Sequence, residues 1–408
     1  MAVRSPRRVV ITGIGCVSPF GVGGAEIVTT MLRTQQTAIA PVRNFTTEAL
    51  QRHLGAEVPA ADLVHDEEGR RWSRVTQMAV VACRQAVAEA QLAPGETLHP
   101  FGLVIGTEFG DLRSTEAFDA SFLERGPRGL RAFLFPNTVM NSMAGIVSLA
   151  LSIKGPILTL NQPGVAGELA VVRALTLLAA NRTQAVIVCG VDELFSALYE
   201  VLGRLQVPSP CDNGEEACRP FDQRHNGPVL GEGATALVLE TLEHAQARGA
   251  TILAEVQQTC WGAVPARSYR YPSPARLHYR LLDELLASAT LRSADITAAY
   301  LSGSGTPQHD TAELSLIAKA FGVECPLLTS VTHLAGEYGS LGALRVAAAS
   351  ITAREGLLPT LSYLDRPIRT DVRFTRQSET SSPGVVLVHG LARGGVQTAL
   401  LIGPPSTH

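Results

Sequence analysis

One stretch decides the fold of this chain: Ile157-Leu-Thr-Leu-Asn-Gln-Pro-Gly-Val-Ala-Gly167. It predicts a short apolar strand and a turn containing glycine and proline, followed by an alanine-rich helix over Glu168 to Ala180. The same order returns later, where the strand Pro326 to Thr329 and a glycine-rich turn precede a helix over Gly342 to Arg354. Two segments with one layout indicate an internal duplication.

Strands and helices alternate on both sides of this stretch. The other predicted strands are Arg8 to Gly15, Phe101 to Gly106, Gln184 to Gly190, Ala236 to Glu240, Ile252 to Gln257, Ala298 to Gly303, Val385 to Val388 and Thr398 to Ile402. The other predicted helices are Arg74 to Leu92, Val139 to Ile153, Leu242 to Arg248, Arg276 to Ala289 and Asp310 to Phe321. This alternation favours an α/β protein with mostly parallel strands in two similar halves, and a single doubly wound sheet is the alternative. Residues 45–70 are predicted to be a surface excursion, and residues 108–135 a partly helical insertion.

Composition excludes several classes of protein. The chain has 408 residues, of which 46% are hydrophobic and 17% charged, with a net charge of −3 and a mean hydropathy of +0.15. Nothing favours nucleic-acid binding, since the basic residues Arg4, Arg7 and Arg8 are expected to be a solvated tail. No run reaches 18 apolar residues and no signal-peptide layout is present, so we expect no membrane span and a cytoplasmic location.

The seven cysteines suggest packing rather than chemistry. They occur in no C-x-x-C pair, which argues against a zinc or redox site. Cys189 ends a predicted buried strand, and we interpret it as a packing residue rather than a nucleophile. Neither a cluster of metal ligands nor a phosphate-binding loop is evident, so no metal and no other cofactor is expected.

Several motifs occur in the order found in the β-ketoacyl synthase family, and the chain resembles that family over nearly its whole length. The motifs are Arg8 to Gly21, Asn141 to Gly145 with Lys154 to Pro156, Pro220 to Asp222, Gly231 to Ala234, Leu242 to Gly249, Ser302 to Pro307 with Asp310, and Gly394 with Gly395. The resemblance implies a thiolase-like fold, in which halves 1–250 and 251–408 form five αβαβα layers. It also implies condensation of an acyl chain with malonyl units carried on acyl carrier protein.

The family's chemistry depends on residues that this chain lacks. A cysteine at a helix N-terminus takes up the acyl chain, and two histidines support decarboxylation and the enolate that forms. Laid on this sequence, the nucleophile motif puts Gly164 at the cysteine, with Gln162 two residues earlier, and Ser302 at the first histidine. The second histidine maps to Gly336 or Glu337, and the family's lysine to Val331 or Thr332.

The resemblance therefore implies a catalytically inactive subunit. Removing a nucleophile alone typically lowers a rate by about 10³- to 10⁶-fold, and here both histidines are replaced as well. Such a chain is similar to the chain length factors of type II polyketide synthases, which pair with an active ketosynthase and usually carry glutamine at the cysteine position. A homodimeric scaffold or binding protein is the alternative function. A priming decarboxylase would need the histidines, and His333 sits several residues too early to replace the second one.

Further residue roles follow from the resemblance. The floor of the acyl tunnel would come from Leu112, Thr115 and Phe118, whose spacing could place them on one helical face, although ordinary packing is the alternative. Other expected positions are Pro136 to Met140 near the subunit interface, Leu391 at the aromatic gate, Asp222 and Asp310 as loop braces, and Glu232 re-paired with the backbone or with an arginine such as Arg393. Expected partners are an active ketosynthase and acyl carrier protein; Arg4, Arg7 and Arg8 could contact the carrier.

Overall fold

The described part of the chain folds into a mixed α/β structure. The computed structural model describes residues 7–60, 63, 72–212, 214–376 and 380–405. The strands are β1 Val9–Ser18, β2 Gly21–Gly23, β3 Ala40–Pro41, β4 Leu54–Gly55, β5 Gly102–Thr107, β6 Ile157–Asn161, β7 Ala185–Asp192, β8 Gly233–Thr241, β9 Ala254–Ala263, β10 Ile296–Tyr300, β11 Leu327–Thr329, β12 Arg373–Phe374, β13 Val385–Leu391 and β14 Val396–Gly403. The α-helices are α1 Ala25–Thr34, α2 Arg74–Glu89, α3 Leu112–Arg125, α4 Ser142–Ala150, α5 Ala166–Ala179, α6 Ser196–Arg204, α7 Leu242–Ala247, α8 Arg280–Ala289, α9 Pro307–Phe321, α10 Thr332–Ala335 and α11 Gly342–Glu355.

The sheet shows the duplication directly. In the N-terminal half the strand order is β6-β5-β7-β8-β1, and in the C-terminal half it is β11-β10-β13-β14-β9. Numbered within each half, both orders are 3-2-4-5-1, with the first three strands parallel and the last two antiparallel to their neighbours. The halves join where β1 pairs antiparallel with β9 at Val9 to Ile11. The repeat first visible in β6–α5 and β11–α11 therefore covers both halves.

Alternating side chains of the strands separate the apolar layers. In β5, Val104 faces a central core with α5 and α11, whereas Leu103 and Ile105 face an outer core with α2 and α4. In β10, Tyr300 faces the central core and Ala299 faces a second outer core with α8 and α9. The order is helices, sheet, helices, sheet, helices, which confirms the five-layer fold expected from the sequence. The boundary at residue 250 stays a prediction.

Several local predictions need correction. The helix predicted over Val139 to Ile153 is shorter, because a 3₁₀ segment, Ala132–Thr138, precedes it and a positive φ at Ser152 follows it. The predicted surface excursion is partly wrong, since Ala56 and Val58 are fully buried; residues 61, 62 and 64–70 lie outside the described ranges.

The basic N-terminal segment also differs from its prediction. Arg8 is not a solvated tail residue, because its guanidinium binds both carboxylate oxygens of Glu255 on β9. Arg7 donates a hydrogen bond to Asn181, and Arg4 lies outside the described residues. Arg8 therefore stabilises the junction between the two halves.

Among the described residues, no single helix has the length and apolarity to cross a bilayer. The segment Ala132–Thr138 and α4 are long and apolar enough together, but they form a pair bent by 95°.

Candidate functional site

Gly164 lies on the turn between β6 and α5, where φ is +69°. A glycine adopts this left-handed conformation readily, whereas other residues are strained in it. The space beside its Cα is open: an added Cβ would make only ordinary contacts, at 3.8 Å and 4.0 Å, with atoms of Ala392. The turn therefore has room for a side chain but carries no group that could be acylated.

A carboxylate from the neighbouring strand binds this turn. Glu108 directly follows β5, and its Oε2 accepts a hydrogen bond from the Gly164 amide at 3.1 Å. Its Oε1 forms an ion pair with Arg393, which follows β13. Asp192 fixes the base of Glu108 by accepting hydrogen bonds from the Glu108 amide and the Thr107 hydroxyl, both at 2.8 Å. Burial raises the pKa of Glu108, and Arg393 opposes that rise.

Ser302 belongs to a closed hydrogen-bond network rather than to a reactive pair. Its hydroxyl donates to Glu313 Oε1 at 2.7 Å and accepts from the Leu391 amide at 3.0 Å. His309 Nε2 lies 3.1 Å from the same hydroxyl, and His389 Nδ1 lies 2.7 Å from Glu313 Oε1. Ser302 is 2% exposed and its hydroxyl is bonded to three neighbours, so it has no free face for a substrate.

The charges of this network favour an ionised Glu313 and a neutral His309. Burial opposes ionisation of Glu313, but the hydrogen bond and charge of His389 hold its pKa below the ordinary value. Burial lowers the pKa of His309, whose ring stacks on Tyr271 with the ring centres 4.2 Å apart. Glu313 and His389 were missed at the sequence level, where the only signal was a charged residue within an apolar helix pattern.

Glu337, on the turn before α11, is half-buried, and its carboxyl oxygen Oε2 is enclosed by the protein. Burial raises its pKa to about 8, and among the described residues its Oε2 has no hydrogen-bond partner. Gly336 beside it has a φ of +72° and packs against Gly231. His333 points elsewhere: its Nε2 lies 3.0 Å from the Thr360 carbonyl, and burial lowers its pKa to about 4.

Glu232 and the two aspartates bind loop backbones. Glu232 is fully buried and accepts hydrogen bonds from the amides of Val58 and Leu194. It also pairs with Arg74, so its partners are the backbone and an arginine, as expected. The arginine is not the suggested Arg393, which pairs with Glu108.

Asp222 and Asp310 each accept several hydrogen bonds. Asp222 accepts from Arg224 and from the amides of Asp365 and Arg366; burial opposes its ionisation, but these bonds lower its pKa to about 2. Asp310 accepts from the amides of Phe221, Ser304 and Gly305. These contacts fix the loops on either side of Ser302.

The expected tunnel and interface residues lie on one flank of the molecule. Leu112 on α3 and Met140 before α4 are 37% and 40% exposed. Phe118 packs against Phe135, and the Thr115 hydroxyl bonds to the Asp111 carbonyl. Pro136 lies in the Ala132–Thr138 segment, which packs against both α3 and α4. Leu391, at the expected gate, is buried beside Ser302.

This flank exposes many large apolar side chains, and we call it the apolar flank. Its members are Leu112, Phe122, Leu123, Phe133, Phe135, Val139, Met140, Leu149 and Ile157. Exposed apolar patches of this kind are typical of surfaces that bind another macromolecule.

Behind the Gly164 turn, a buried ion pair joins the two central helices. Arg345 of α11 binds Glu168 of α5, and both side chains are almost completely buried. Sequence reasoning missed this pair, although a charged residue within each alanine-rich helix could have signalled it.

Comparison with known proteins identifies the family. The model for the N-terminal domain of β-ketoacyl synthases matches residues 6–245, and the model for the C-terminal domain matches residues 253–364. The chain belongs to the β-ketoacyl synthase family. It is 30% identical to a Streptomyces halstedii protein named as a polyketide β-ketoacyl synthase, over 98% of both chains. It is 31% identical to 3-oxoacyl-[acyl-carrier-protein] synthase 2 of Staphylococcus aureus, over 83% of this chain and 84% of that protein.

Solved structures of the family superpose closely on this chain. A structure titled the ishigamide ketosynthase/chain length factor matches with a TM-score of 0.88 and 26% identity, over 98% of this chain and all of that one. A β-ketoacyl synthase of Burkholderia phymatum matches with a TM-score of 0.87, 26% identity and the same coverage. The proteins similar to this chain thus include several named as synthases.

Cys189 does not replace the family's nucleophile. It is fully buried in β7, and a hydrogen bond with Cys83 together with burial raises its pKa well above the ordinary value. A buried thiol of this kind is not a reactive thiolate.

Proposed function

We propose that this chain is a non-catalytic ketosynthase-family subunit. It would pair with an active ketosynthase and shape the acyl tunnel while malonyl units extend a polyketide or fatty-acyl chain on acyl carrier protein. The observation that carries the proposal is the Gly164 turn, which offers no nucleophile and whose amide already binds the Glu108 carboxylate. The proposal places the protein in the cytoplasm.

Likeness to a ketosynthase/chain length factor supports the role of an accessory subunit. That structure covers 98% of this chain with a TM-score of 0.88. The apolar flank supports pairing with another chain, because stable obligate interfaces bury about 2,000–5,000 Å² of largely apolar surface. Within this proposal, Leu112, Thr115 and Phe118 line the tunnel, and Pro136 and Met140 lie at the interface.

The test compares the chain alone with the chain bound to a partner. The full-length protein is expressed by itself and together with a ketosynthase that retains its cysteine and both histidines, and malonyl-dependent extension of an acyl carrier protein substrate is measured. We expect no extension by the isolated chain and extension by the complex. Replacing the partner's nucleophilic cysteine with alanine should abolish that activity, whereas Gly164→Ala in this chain should not.

Two outcomes would contradict the proposal. Extension by the isolated chain would show that it has its own catalytic machinery. A stable homodimer that neither binds the ketosynthase nor changes its product would favour the alternative function, a scaffold or binding protein.

A further inference from the structure

We infer that the Glu108–Arg393 ion pair closes this chain's own acyl pocket, so that restoring a cysteine at position 164 would not by itself restore acylation. The pocket is thus blocked twice, once by the missing nucleophile and once by a charged pair in front of it. The inference concerns this chain alone and does not depend on the identity of a partner.

The ion pair crosses the site from one half of the molecule to the other. Glu108 follows β5 of the N-terminal half, whereas Arg393 follows β13 of the C-terminal half. The Glu108 side chain is 8% exposed and that of Arg393 is 28% exposed. The carboxylate therefore lies deeper in the protein than the guanidinium, which is nearer to solvent.

Glu108 fills the space between two turns. Its Oε2 bonds to the Gly164 amide, and a Cβ added to Gly339 on the opposite turn would lie 2.2 Å from its Cβ and 2.5 Å from Oε2. Asp192 fixes the backbone of Glu108, while the Gly164 amide and Arg393 hold its carboxylate. No Glu108 atom lies within 4 Å of a Cβ added to Gly164, so the carboxylate does not displace the side chain of residue 164 itself. It holds the Gly164 amide, and the acyl group of a thioester on residue 164 would meet it beyond the sulfur.

The electrostatics oppose a reactive thiol at the same place. The beginning of an α-helix favours an anion, and this is the feature that normally lowers the pKa of a nucleophilic cysteine. Here Glu108 already supplies that anion, and a like charge within hydrogen-bond distance of residue 164 would raise the pKa of a new thiol. Arg393 compensates for Glu108 and leaves little net positive charge to stabilise a thiolate.

An aliphatic acyl chain that entered the site would also have to separate Glu108 from Arg393, which costs free energy. Separating a largely buried carboxylate from its partner is strongly unfavourable. An aliphatic acyl chain offers no polar atoms to replace Arg393 or the Gly164 amide. Accommodating the chain would therefore leave charged groups without partners, whereas removing both charges together would avoid that penalty.

The experiment introduces a reporter thiol with and without the pair. Three full-length variants are compared: Gly164→Cys; Gly164→Cys with Glu108→Ala and Arg393→Ala; and Gly164→Cys with Glu200→Ala and Arg204→Ala. The last is the matched control, because Glu200 and Arg204 form an exposed ion pair on α6. Each protein is treated with iodoacetamide and, separately, with its N-dodecyl derivative, and peptide mass spectrometry follows residue 164 apart from the exposed Cys211.

Both reagents react with the same thiol, so the ratio of the two labelling rates cancels the reactivity of the thiol. The ratio measures whether the site has space for the dodecyl group. We expect the variant without the Glu108–Arg393 pair to show a dodecyl-to-iodoacetamide ratio at least tenfold higher than Gly164→Cys alone. The α6 control should match Gly164→Cys. Equal ratios in all three variants, or ready dodecyl labelling of Gly164→Cys, would overturn the inference.

Folding is checked separately because a cysteine at a φ of +69° is strained. The melting temperature of Gly164→Ala, compared with that of the original protein, measures this strain without introducing a thiol. If the variant with Gly164→Cys, Glu108→Ala and Arg393→Ala does not fold, the variant with only Gly164→Cys and Glu108→Ala takes its place. It removes the group that contacts Gly164. That variant should still raise the ratio at least threefold, and an unchanged ratio would equally overturn the inference.

Discussion

At the scale of single residues, Glu337 makes the stability of the fold depend on pH. The family resemblance places an imidazole near this position, whereas this chain has a carboxyl group whose pKa burial raises from 4.5 to about 8. In the folded protein the group keeps a proton that the unfolded chain releases above pH 4.5. The folded state therefore loses stability as the pH rises from about 4.5 to 8.

Glu337→Gln should remove this pH dependence, because glutamine fills the same space and does not ionise. At pH 8 we expect the variant to be more stable than the original protein by about 4 kcal/mol, with little difference at pH 4.5. Melting temperatures measured at several pH values between 4.5 and 8 test this expectation. Glu200→Gln on α6 is the control. If the melting temperatures of Glu337→Gln and the original protein changed with pH in the same way, Glu337 would be ionised in the folded state.

Glu232 provides a test of structural rather than catalytic importance. Its carboxylate is fully buried and joins Arg74 to the amides of Val58 and Leu194. Replacing one member of a buried ion pair leaves the other without compensation and lowers the free energy of unfolding by about 3 kcal/mol or more. Glu232→Ala should therefore lower the melting temperature by several degrees, whereas Glu200→Ala should hardly change it; equal melting temperatures would contradict this role.

At the scale of elements, a substitution in α3 can test whether this helix limits the length of the product. The helix begins after Asp111, whose side chain accepts a hydrogen bond from the Ser114 amide, and Leu112 is its first residue. If this turn forms the tunnel floor, Leu112→Trp fills part of the tunnel and the complex should release shorter products. Mass spectrometry of the released chains measures this, and Leu205→Trp at the exposed residue directly after α6 should leave their length unchanged. Unchanged length for Leu112→Trp would mean that Leu112 is only a packing residue.

The elements also show what could be predicted from the sequence. The unit β6–turn–α5 was predictable because an apolar run, turn residues and a helical repeat follow one another directly. Helices α1 and α6 were missed, since each is short and the structure buries only part of its surface. The position of Gly164 was predictable from local motifs, but the Glu108–Arg393 pair was not, because its members are 285 residues apart and meet only through the sheet order.

At the scale of the whole molecule, the two similar halves differ at their outer edges. In the C-terminal half, β12 covers the edge strand β11. In the N-terminal half, the equivalent strand β6 ends the sheet among the described residues, and Ile157 at its start is 39% exposed. An uncovered edge strand beside an apolar surface favours pairing with another chain. The duplication therefore leaves one edge for a partner, in agreement with the proposed heterodimer.

This asymmetry predicts which substitutions separate the subunits. Ile157→Lys and Leu149→Lys place charges on the β6 edge and on the adjoining face of α4, where pairing would bury them without partners. We expect each to weaken association with an active ketosynthase at least tenfold, measured by co-purification and analytical ultracentrifugation, while the melting temperature of the isolated chain stays nearly constant. Val201→Lys on α6 and Leu205→Lys directly after it change exposed apolar residues outside the apolar flank and should not affect association. If the α6 variants were the ones to dissociate the complex, the partner would bind there, and the uncovered edge of β6 would need another explanation.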